Sequence, residues 1–199
     1  MSNQEQPSTV RLFIALPVPE TVKAELKKLQ KELRKVVPTE QLRWVPPEQI
    51  HLTLKFLGNV PNEEMEDLVT ATRDGCRGVG PFRLRAEQTG FFPNEYRPRV
   101  IWVDVRGDTE PLNTLQQSIE CATLGFAESE EKREYSPHLT LARVKNLHVR
   151  EMQALCERVK SLKSRVFGEW TAVKAELIRS ELGHHGSRYT CLAEVPFSK

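Results

Sequence analysis

Apolar and polar residues alternate along this chain in a series of short patterns that predict strands and amphipathic helices in turn. Continuous or alternating apolar runs indicate strands, and apolar residues spaced three and four apart indicate helices with one buried face. Proline, glycine and asparagine mark the expected boundaries. The first series comprises a strand at 11–16, a helix with apolar positions from Val22 to Val36, a strand at 51–57 ended by Gly58 and Asn59, a helix opening at Pro61, and a strand at 82–88.

A second series repeats this order in the other half of the chain. Its helices are expected to begin after Asp108 and close to His148, since both positions suit the N-cap of a helix. A turn at 183–186 then precedes the last strand. The second series comprises a strand at 100–105, a helix with Leu112 to Ala122, a strand at 138–141, a helix with Met152 to Leu162, a strand near 172–178, and a final strand at 189–195.

The third element of both series carries the same tetrapeptide, His-Leu-Thr-Leu. It occupies residues 51–54 in the first series and residues 138–141 in the second. Equivalent placement in two similar units predicts an internal duplication. We therefore predict an α+β fold with two antiparallel sheets related by approximate two-fold symmetry, helices on the outside, and a central cleft between the two motifs. One continuous open sheet is the alternative.

The duplicated units are expected to form one bilobal domain covering residues 11–199. Its approximate halves are 11–90 and 99–181, and no Gly/Ser-rich linker separates them. Residues 1–10 are polar and are expected to form a disordered tail rather than a signal peptide.

The motif places one imidazole and one hydroxyl on the same face of a strand. Successive side chains on a strand point to opposite faces, so His51 lies beside Thr53 and His138 lies beside Thr140. Two such strands across a cleft would surround a phosphodiester with two imidazoles and two hydroxyls. A neutral imidazole can activate water while a protonated one supplies the leaving oxygen, and the hydroxyls can donate to the non-bridging oxygens. A ribose 2′,3′-cyclic phosphate suits this arrangement and requires no metal or other cofactor.

Composition narrows the partners of this site. The formal net charge is only +2, which favours a short or terminal RNA, or a small cyclic nucleotide, over a long duplex. No apolar stretch is long enough to span a bilayer, so no membrane partner is expected. The four cysteines lie far apart, which predicts free thiols, a cytoplasmic protein and no zinc site.

Longer segments around both motifs resemble the 2H phosphoesterases, a family defined by paired His-x-Thr/Ser-x motifs on symmetry-related lobes. Within that family the chain looks most like the bacterial and archaeal RNA 2′,3′-cyclic phosphodiesterases, first described as 2′-5′ RNA ligases. The resemblance covers nearly the whole chain from Arg11. The segments that carry it are 11–17, 43–58, 98–102 and 136–143.

The resemblance implies hydrolysis of the cyclic phosphate to a 2′-phosphomonoester without a metal. It also implies that His51 is the proton donor to the leaving 3′ oxygen and that His138 is the proton acceptor acting on water. By the same resemblance Arg143 reaches the phosphate and Phe56 can contact a base. The near symmetry of the motifs leaves the order of the two histidines open on the residues alone.

Several neighbouring residues have two interpretations. Strict alternation places Lys55 on the face of His51, as a phosphate ligand or a solvated strand-end lysine. The same alternation directs Phe56 and Arg143 away from the cleft unless a bulge precedes them. Arg143 is the better phosphate ligand because its fork binds bidentately. For Phe91 and Phe92 core packing is expected, and for His184 and His185 an exposed hairpin tip rather than a metal site.

Three other functions compete with cyclic phosphate hydrolysis. The same histidines could run the reverse reaction, as a 2′-5′ RNA ligase or a 2′,5′-phosphodiesterase. An RNA-end-binding module without turnover and a metal hydrolase with histidine ligands are the other two. One chain carries both motifs, so a monomer is expected to hold a complete site.

Overall fold

The computed structural model describes residues 8–37, 41–128, 134–183 and 186–197. Nine strands and four α-helices lie within these ranges. The strands are β1 (Thr9–Pro17), β2 (Leu42–Trp44), β3 (His51–Pro61), β4 (Phe82–Phe92), β5 (Val100–Gly107), β6 (His138–Val144), β7 (Val166–Ala172), β8 (Lys174–Gly183) and β9 (Gly186–Pro196). The helices are α1 (Glu20–Arg34), α2 (Met65–Gly75), α3 (Thr109–Ala122) and α4 (Val149–Lys160).

The strands form two antiparallel groups that meet at the two motif strands. The hydrogen-bonded order is β7-β4-β5-β6-β3-β1-β8-β9, with β2 paired to β6. Lobe A comprises β3, β1, β8 and β9, and lobe B comprises β7, β4, β5 and β6 with β2. Within the described residues β3 and β6 pair through Leu52 and Leu139 alone. This confirms the predicted α+β class and its antiparallel strands.

Each half of the chain contributes to the opposite lobe a strand that follows its motif strand. Strand β4 follows β1 and β3 in sequence, yet it pairs with β5 and β7 in lobe B. Strand β8 follows β5 and β6, yet it pairs with β1 and β9 in lobe A. The two lobes are therefore interlocked by the path of the chain.

The helices bury their apolar faces on the strands and on each other. Helix α1 packs on β7 at Gly168, where a β-carbon would lie 2.9 Å from a Val22 methyl group. Helices α2 and α3 meet at Gly75, where a β-carbon would lie 2.9 Å from the backbone of Ile119. One continuous core, which includes Leu52 and Leu139, results from this packing. The apolar surface that it removes from water is the main stabilisation of the fold.

Two predicted helix starts agree with the structure, whereas the helix expected to open at Pro61 begins at Met65, after a short 3-10 helix. As predicted, Asp108 is the N-cap of α3 and His148 that of α4. At the last of these, Glu151 accepts a hydrogen bond from the His148 backbone N–H at 2.8 Å. None of the helices in the described ranges combines the length and apolar character needed to cross a membrane.

Three strand boundaries differ from the predictions. Strand β3 does not end at Gly58; it continues to Pro61, because a glycine at φ +81° is accommodated within it. The single strand predicted near 172–178 is two strands, β7 and β8, separated at Val173. Strand β1 begins at Thr9, while residues 1–7 of the predicted tail lie outside the described ranges.

Candidate active site

The two His-x-Thr motifs lie side by side at the junction of the lobes. Leu52 and Leu139 are antiparallel partners and are fully buried. Because paired residues share a face and neighbours alternate, extending this register brings His51 beside Thr140 and His138 beside Thr53. All four of these side chains are partly exposed, unlike the leucines between them. The fold therefore brings the two motifs together, as predicted.

A bulge in each motif strand brings one further residue to the cleft face. In β3 the register skips Leu54, so Phe56 pairs with Phe13 on the face of His51. In β6 it skips Leu141, so Arg143 pairs with Val100 on the face of His138. A bulge inserts one unpaired residue and thereby inverts the alternation beyond it. Phe56, with 61% of its surface exposed, and Arg143, also exposed, therefore occupy equivalent places at opposite ends of the cleft.

The bulge in β3 also turns Lys55 away from the cleft, which corrects both interpretations of this residue. Lys55 pairs with the buried Ile14 and is only 5% exposed. Its ammonium group lies 2.9 Å from a Glu120 carboxylate oxygen and donates to the Glu120 carbonyl oxygen at 3.0 Å. A buried charge needs such a partner, and Lys55 has it on the side opposite the motif. Lys55 is a structural residue.

Both motif imidazoles are oriented in the same way by the backbone. His51 Nδ1 lies 2.7 Å from the carbonyl oxygen of Gln49, and His138 Nδ1 lies 2.8 Å from that of Ser136. A carbonyl oxygen can only accept, so Nδ1 carries the proton in each neutral ring. Nε2 is then the nitrogen that takes or gives a proton. Both motif histidines therefore have the same neutral tautomer, with the proton on Nδ1.

The imidazole of His51 lies against an aromatic group from lobe A. Phe13 stacks on it with ring centroids 4.6 Å apart, and the Tyr189 ring meets its edge at 5.4 Å. Burial lowers the pKa of His51 to about 4, and the positive charges of His138 and Lys23 act in the same direction. The hydrogen bond to Gln49 opposes this effect. Without a substrate, His51 is therefore neutral at pH 7.

The imidazole of His138 has different neighbours. Phe92 meets it edge to face at 4.8 Å, and Asp104 is its cross-strand partner on β5. Burial lowers the pKa of His138, as does the charge of Arg143. The hydrogen bond to Ser136 and the carboxylate of Asp104 raise it. Pro17 occupies the corresponding position opposite His51, so Asp104 breaks the symmetry of the pair.

Sequence reasoning did not single out Phe13, Tyr189 or Asp104. For Asp104 a signal was present, because it is the one charged residue in the otherwise apolar run 100–105. Phe91 is buried as expected, whereas Phe92 contacts His138 on the cleft face. His184 and His185 lie outside the described residues.

Both threonines occupy the cleft face between the histidines. The backbone of Thr53 is held by the Tyr135 hydroxyl, which donates to the Thr53 carbonyl oxygen at 3.2 Å. Thr140 lies across from Trp102, whose ring covers Gly90 so closely that a β-carbon there would clash at 2.3 Å. These contacts hold the backbone of the motifs, and neither threonine hydroxyl has a hydrogen bond to another residue within the described ranges. Hydroxyl donors at such positions can bind anionic oxygens.

Potential metal ligands come together elsewhere. Within the described part of the chain, one group of three has its ligand atoms within 4.8 Å, and it comprises Glu176, Cys191 and Glu194. Lys174 lies 3.0 Å from Glu176 and also pairs with Glu194, so both carboxylates already have a cationic partner. All four cysteines, which fall within the described ranges, are free thiols as predicted.

Comparison with known proteins identifies the family. The LigT-like phosphoesterase model matches this chain twice, over residues 16–102 and 103–189. Each match contains one of the two motifs. The two matches together span most of the chain.

Curated relatives match over nearly their full length. A Methanothermobacter thermautotrophicus protein named RNA 2′,3′-cyclic phosphodiesterase is 33% identical over 183 residues, which cover 91% of this chain and 95% of the relative. A Thermus thermophilus protein with the same name is 36% identical over 190 residues, which cover 92% and 88%.

Solved structures share the fold. The crystal structure of a Thermus thermophilus protein superposes with a TM-score of 0.77 at 34% identity, covering 94% of this chain and 97% of the other. Escherichia coli LigT in complex with 3′-AMP superposes with a TM-score of 0.76 at 22% identity, covering 96% and 100%. With both motifs in the cleft and both halves matched, the chain belongs to the LigT-like phosphoesterase family.

Proposed function

We propose that this enzyme hydrolyses RNA 2′,3′-cyclic phosphate ends to 2′-phosphomonoesters by metal-independent acid–base catalysis. The observation that carries the proposal is the pairing of the two motif strands at Leu52 and Leu139, with each histidine held through Nδ1 by a backbone carbonyl so that Nε2 is left for proton transfer. The names of the curated relatives support the choice of substrate. Two imidazoles suffice for both proton transfers, each typically contributing about 10² to 10⁴ in rate.

In the proposed reaction, water attacks phosphorus as the bond from phosphorus to O3′ breaks. His138 takes a proton from the water, and His51 gives a proton to the departing O3′. The products are a 3′-hydroxyl and a phosphate monoester on O2′. His51 gains its proton when the anionic substrate binds, because a nearby negative charge raises the pKa of an imidazole.

The remaining polar groups of the cleft stabilise charge on the phosphate. Thr53 and Thr140 donate their hydroxyl hydrogens to the non-bridging oxygens, whose negative charge grows as phosphorus becomes five-coordinate. Arg143 binds the same oxygens through its guanidinium fork. Phe56, at the other end of the cleft, offers a flat apolar surface to the terminal base.

We propose further that a monomer in the cytoplasm performs this reaction. One chain supplies both histidines and both threonines, so a second copy adds nothing to the site. Free thiols at all four cysteines are consistent with a reducing compartment.

Hydrolysis of a short RNA with a 2′,3′-cyclic phosphate end, in the presence of EDTA, tests the proposal. Native protein should release a 2′-phosphate product as fast with EDTA as without it. The substitutions His51→Ala and His138→Ala should each abolish this hydrolysis. Loss of native activity in EDTA would support a metal hydrolase. Binding without turnover would support an RNA-end-binding module. Joining of the cyclic end to an added 5′-hydroxyl RNA would support the ligase.

A further inference from the structure

Strand β2 places a second arginine beside Arg143. It has three residues and pairs only with β6, where Arg43 is the direct cross-strand partner of Arg143. Paired residues of antiparallel strands lie on the same face, with α-carbons about 4.5–5.5 Å apart. On β2, Leu42 is buried and Arg43 is exposed, which agrees with Arg43 facing the cleft. We call Arg43 and Arg143 the arginine pair.

The arginine pair sets two like charges directly opposite each other. Like charges directly opposite each other on neighbouring strands are destabilising. Among the residues that the structure describes, neither guanidinium forms an ion pair with a carboxylate or a side-chain hydrogen bond. An anion bound between them would relieve the repulsion and would receive donors from both forks.

The position of the arginine pair indicates which phosphate of the substrate it binds. Arg143 lies on the motif strand β6 itself, five residues after His138, and its charge lowers the pKa of that histidine. Arg43 lies beyond it, on the neighbouring strand β2, which carries neither motif. In a ribonucleotide with a 2′,3′-cyclic phosphate, the base is attached at C1′, and the preceding phosphate is attached through C5′ to C4′. C1′ and C4′ flank the ring oxygen, so the base and the preceding phosphate leave the ribose on opposite sides. The cleft has matching ends, with exposed Phe56 at one and the arginine pair at the other.

We propose that Arg43 binds the phosphodiester that precedes the terminal nucleotide, and that the Arg143 guanidinium beside it donates to both this phosphate and the reacting one. This inference rests on the proposed function and adds to it a substrate preference: an RNA end of two or more nucleotides over a cyclic mononucleotide. Arg43 is a specificity residue in this scheme, because it touches the second phosphate from the end, next to the reacting one, without contacting the reacting atoms.

Two substrates that differ only in this phosphate and the nucleoside beyond it test the proposal. Cytidine 2′,3′-cyclic phosphate lacks the preceding phosphodiester, and the dinucleotide ApC with a 2′,3′-cyclic end carries it. In Arg43→Gln, kcat/KM for the dinucleotide should fall by about tenfold, the loss expected for one charge-assisted hydrogen-bonded contact. The mononucleotide should change by less than about twofold. Arg73→Gln, on the exposed face of α2, is the matched control and should change neither substrate.

Salt dependence gives a second measurement. Each phosphate contact to single-stranded nucleic acid contributes about 0.7 to the slope of log affinity against log salt. Arg43→Gln should reduce this slope for the dinucleotide, by less than that amount because so short a strand condenses few counterions, and leave the mononucleotide slope unchanged. Arg43→Lys should retain the slope while losing part of the affinity, since it keeps the charge but not the fork.

An equal loss on both substrates would assign Arg43 to the reacting phosphate and overturn the proposal, as would no loss on either. If native protein turns over neither substrate, the proposed function fails. Affinity for the product ApC 2′-phosphate, compared with cytidine 2′-phosphate, then tests the arginine pair without turnover. An unchanged ratio of these affinities in Arg43→Gln would overturn it.

Discussion

Leu52 and Leu139 are cross-strand partners, and their pairing is the point where the two lobes meet. Both side chains are fully buried in the common core. The spacing of the two histidines is therefore set by core packing beneath the cleft rather than by contacts within it.

Truncation at this junction should weaken the whole protein. We expect Leu139→Ala to lower the free energy of unfolding by about 2–5 kcal/mol, because it leaves a cavity in the core. Urea denaturation measures this value. Leu124→Ala, at a side chain that is 51% exposed, should change it by less than about 0.5 kcal/mol. Equal effects at the two positions would contradict this assignment of the junction.

The roles of the two histidines can be separated with a sulfur-containing substrate. When sulfur replaces the bridging 3′ oxygen of the cyclic phosphate, the leaving group needs little protonation. We expect His51→Ala to lose about 10² to 10⁴ in kcat on the oxygen substrate and far less on the sulfur substrate. His138→Ala should lose activity on both. The opposite pattern would make His138 the donor.

The pH dependence should respond to Asp104. Its carboxylate raises the pKa of His138, so Asp104→Asn should lower that pKa. In the complex with substrate, where His51 is protonated, His138 must be neutral to accept a proton, so the acid limb of the kcat profile should move to lower pH. A shift confined to the basic limb would instead identify His138 as the acid. Asp74→Asn, in an exposed pair on α2, should leave both limbs in place.

The threonine hydroxyls should matter mainly in the transition state. Thr53→Val and Thr140→Val keep the shape of the side chain and remove the donor, so we expect kcat to fall by about 10² to 10³ while KM changes little. Thr→Ser at the same positions retains the hydroxyl and should recover most of the activity. A rise in KM alone would place the hydroxyls in ground-state binding.

Lys55 should affect stability and leave catalysis intact. Lys55→Met keeps the aliphatic stem and leaves Glu120, which is 30% exposed, without its partner. We expect a loss of roughly 1–3 kcal/mol in unfolding free energy, measured in urea, because a partly buried charge loses its hydrogen bond. The value of kcat/KM should stay within about twofold. A tenfold loss of kcat/KM in stably folded protein would return Lys55 to the phosphate.

Local patterns were sufficient to predict the helices, the motif strands and the four central side chains. The bulges were not predictable, because Leu54-Lys55 and Leu141-Ala142 fit regular alternation as well as they fit a bulge. The face of the strand that each later side chain occupies was therefore predicted wrongly for Lys55 and left open for Phe56 and Arg143. The pairing of β4 and β8 with opposite lobes was also hidden, because strand partners depend on contacts distant in sequence that periodicity does not report.

The interlocked path of the chain bears on how a single-motif precursor could have worked. A half-length polypeptide would supply β1, β3 and its own third strand, yet that third strand completes the sheet of its counterpart. Two such polypeptides would close both sheets only by trading that strand, which makes an entwined homodimer with the cleft on its symmetry axis. Tandem fusion turns this association into an intramolecular event, independent of concentration. In one chain the two copies can also carry different residues at corresponding positions, as with Asp104 and Pro17, or Arg143 and Phe56.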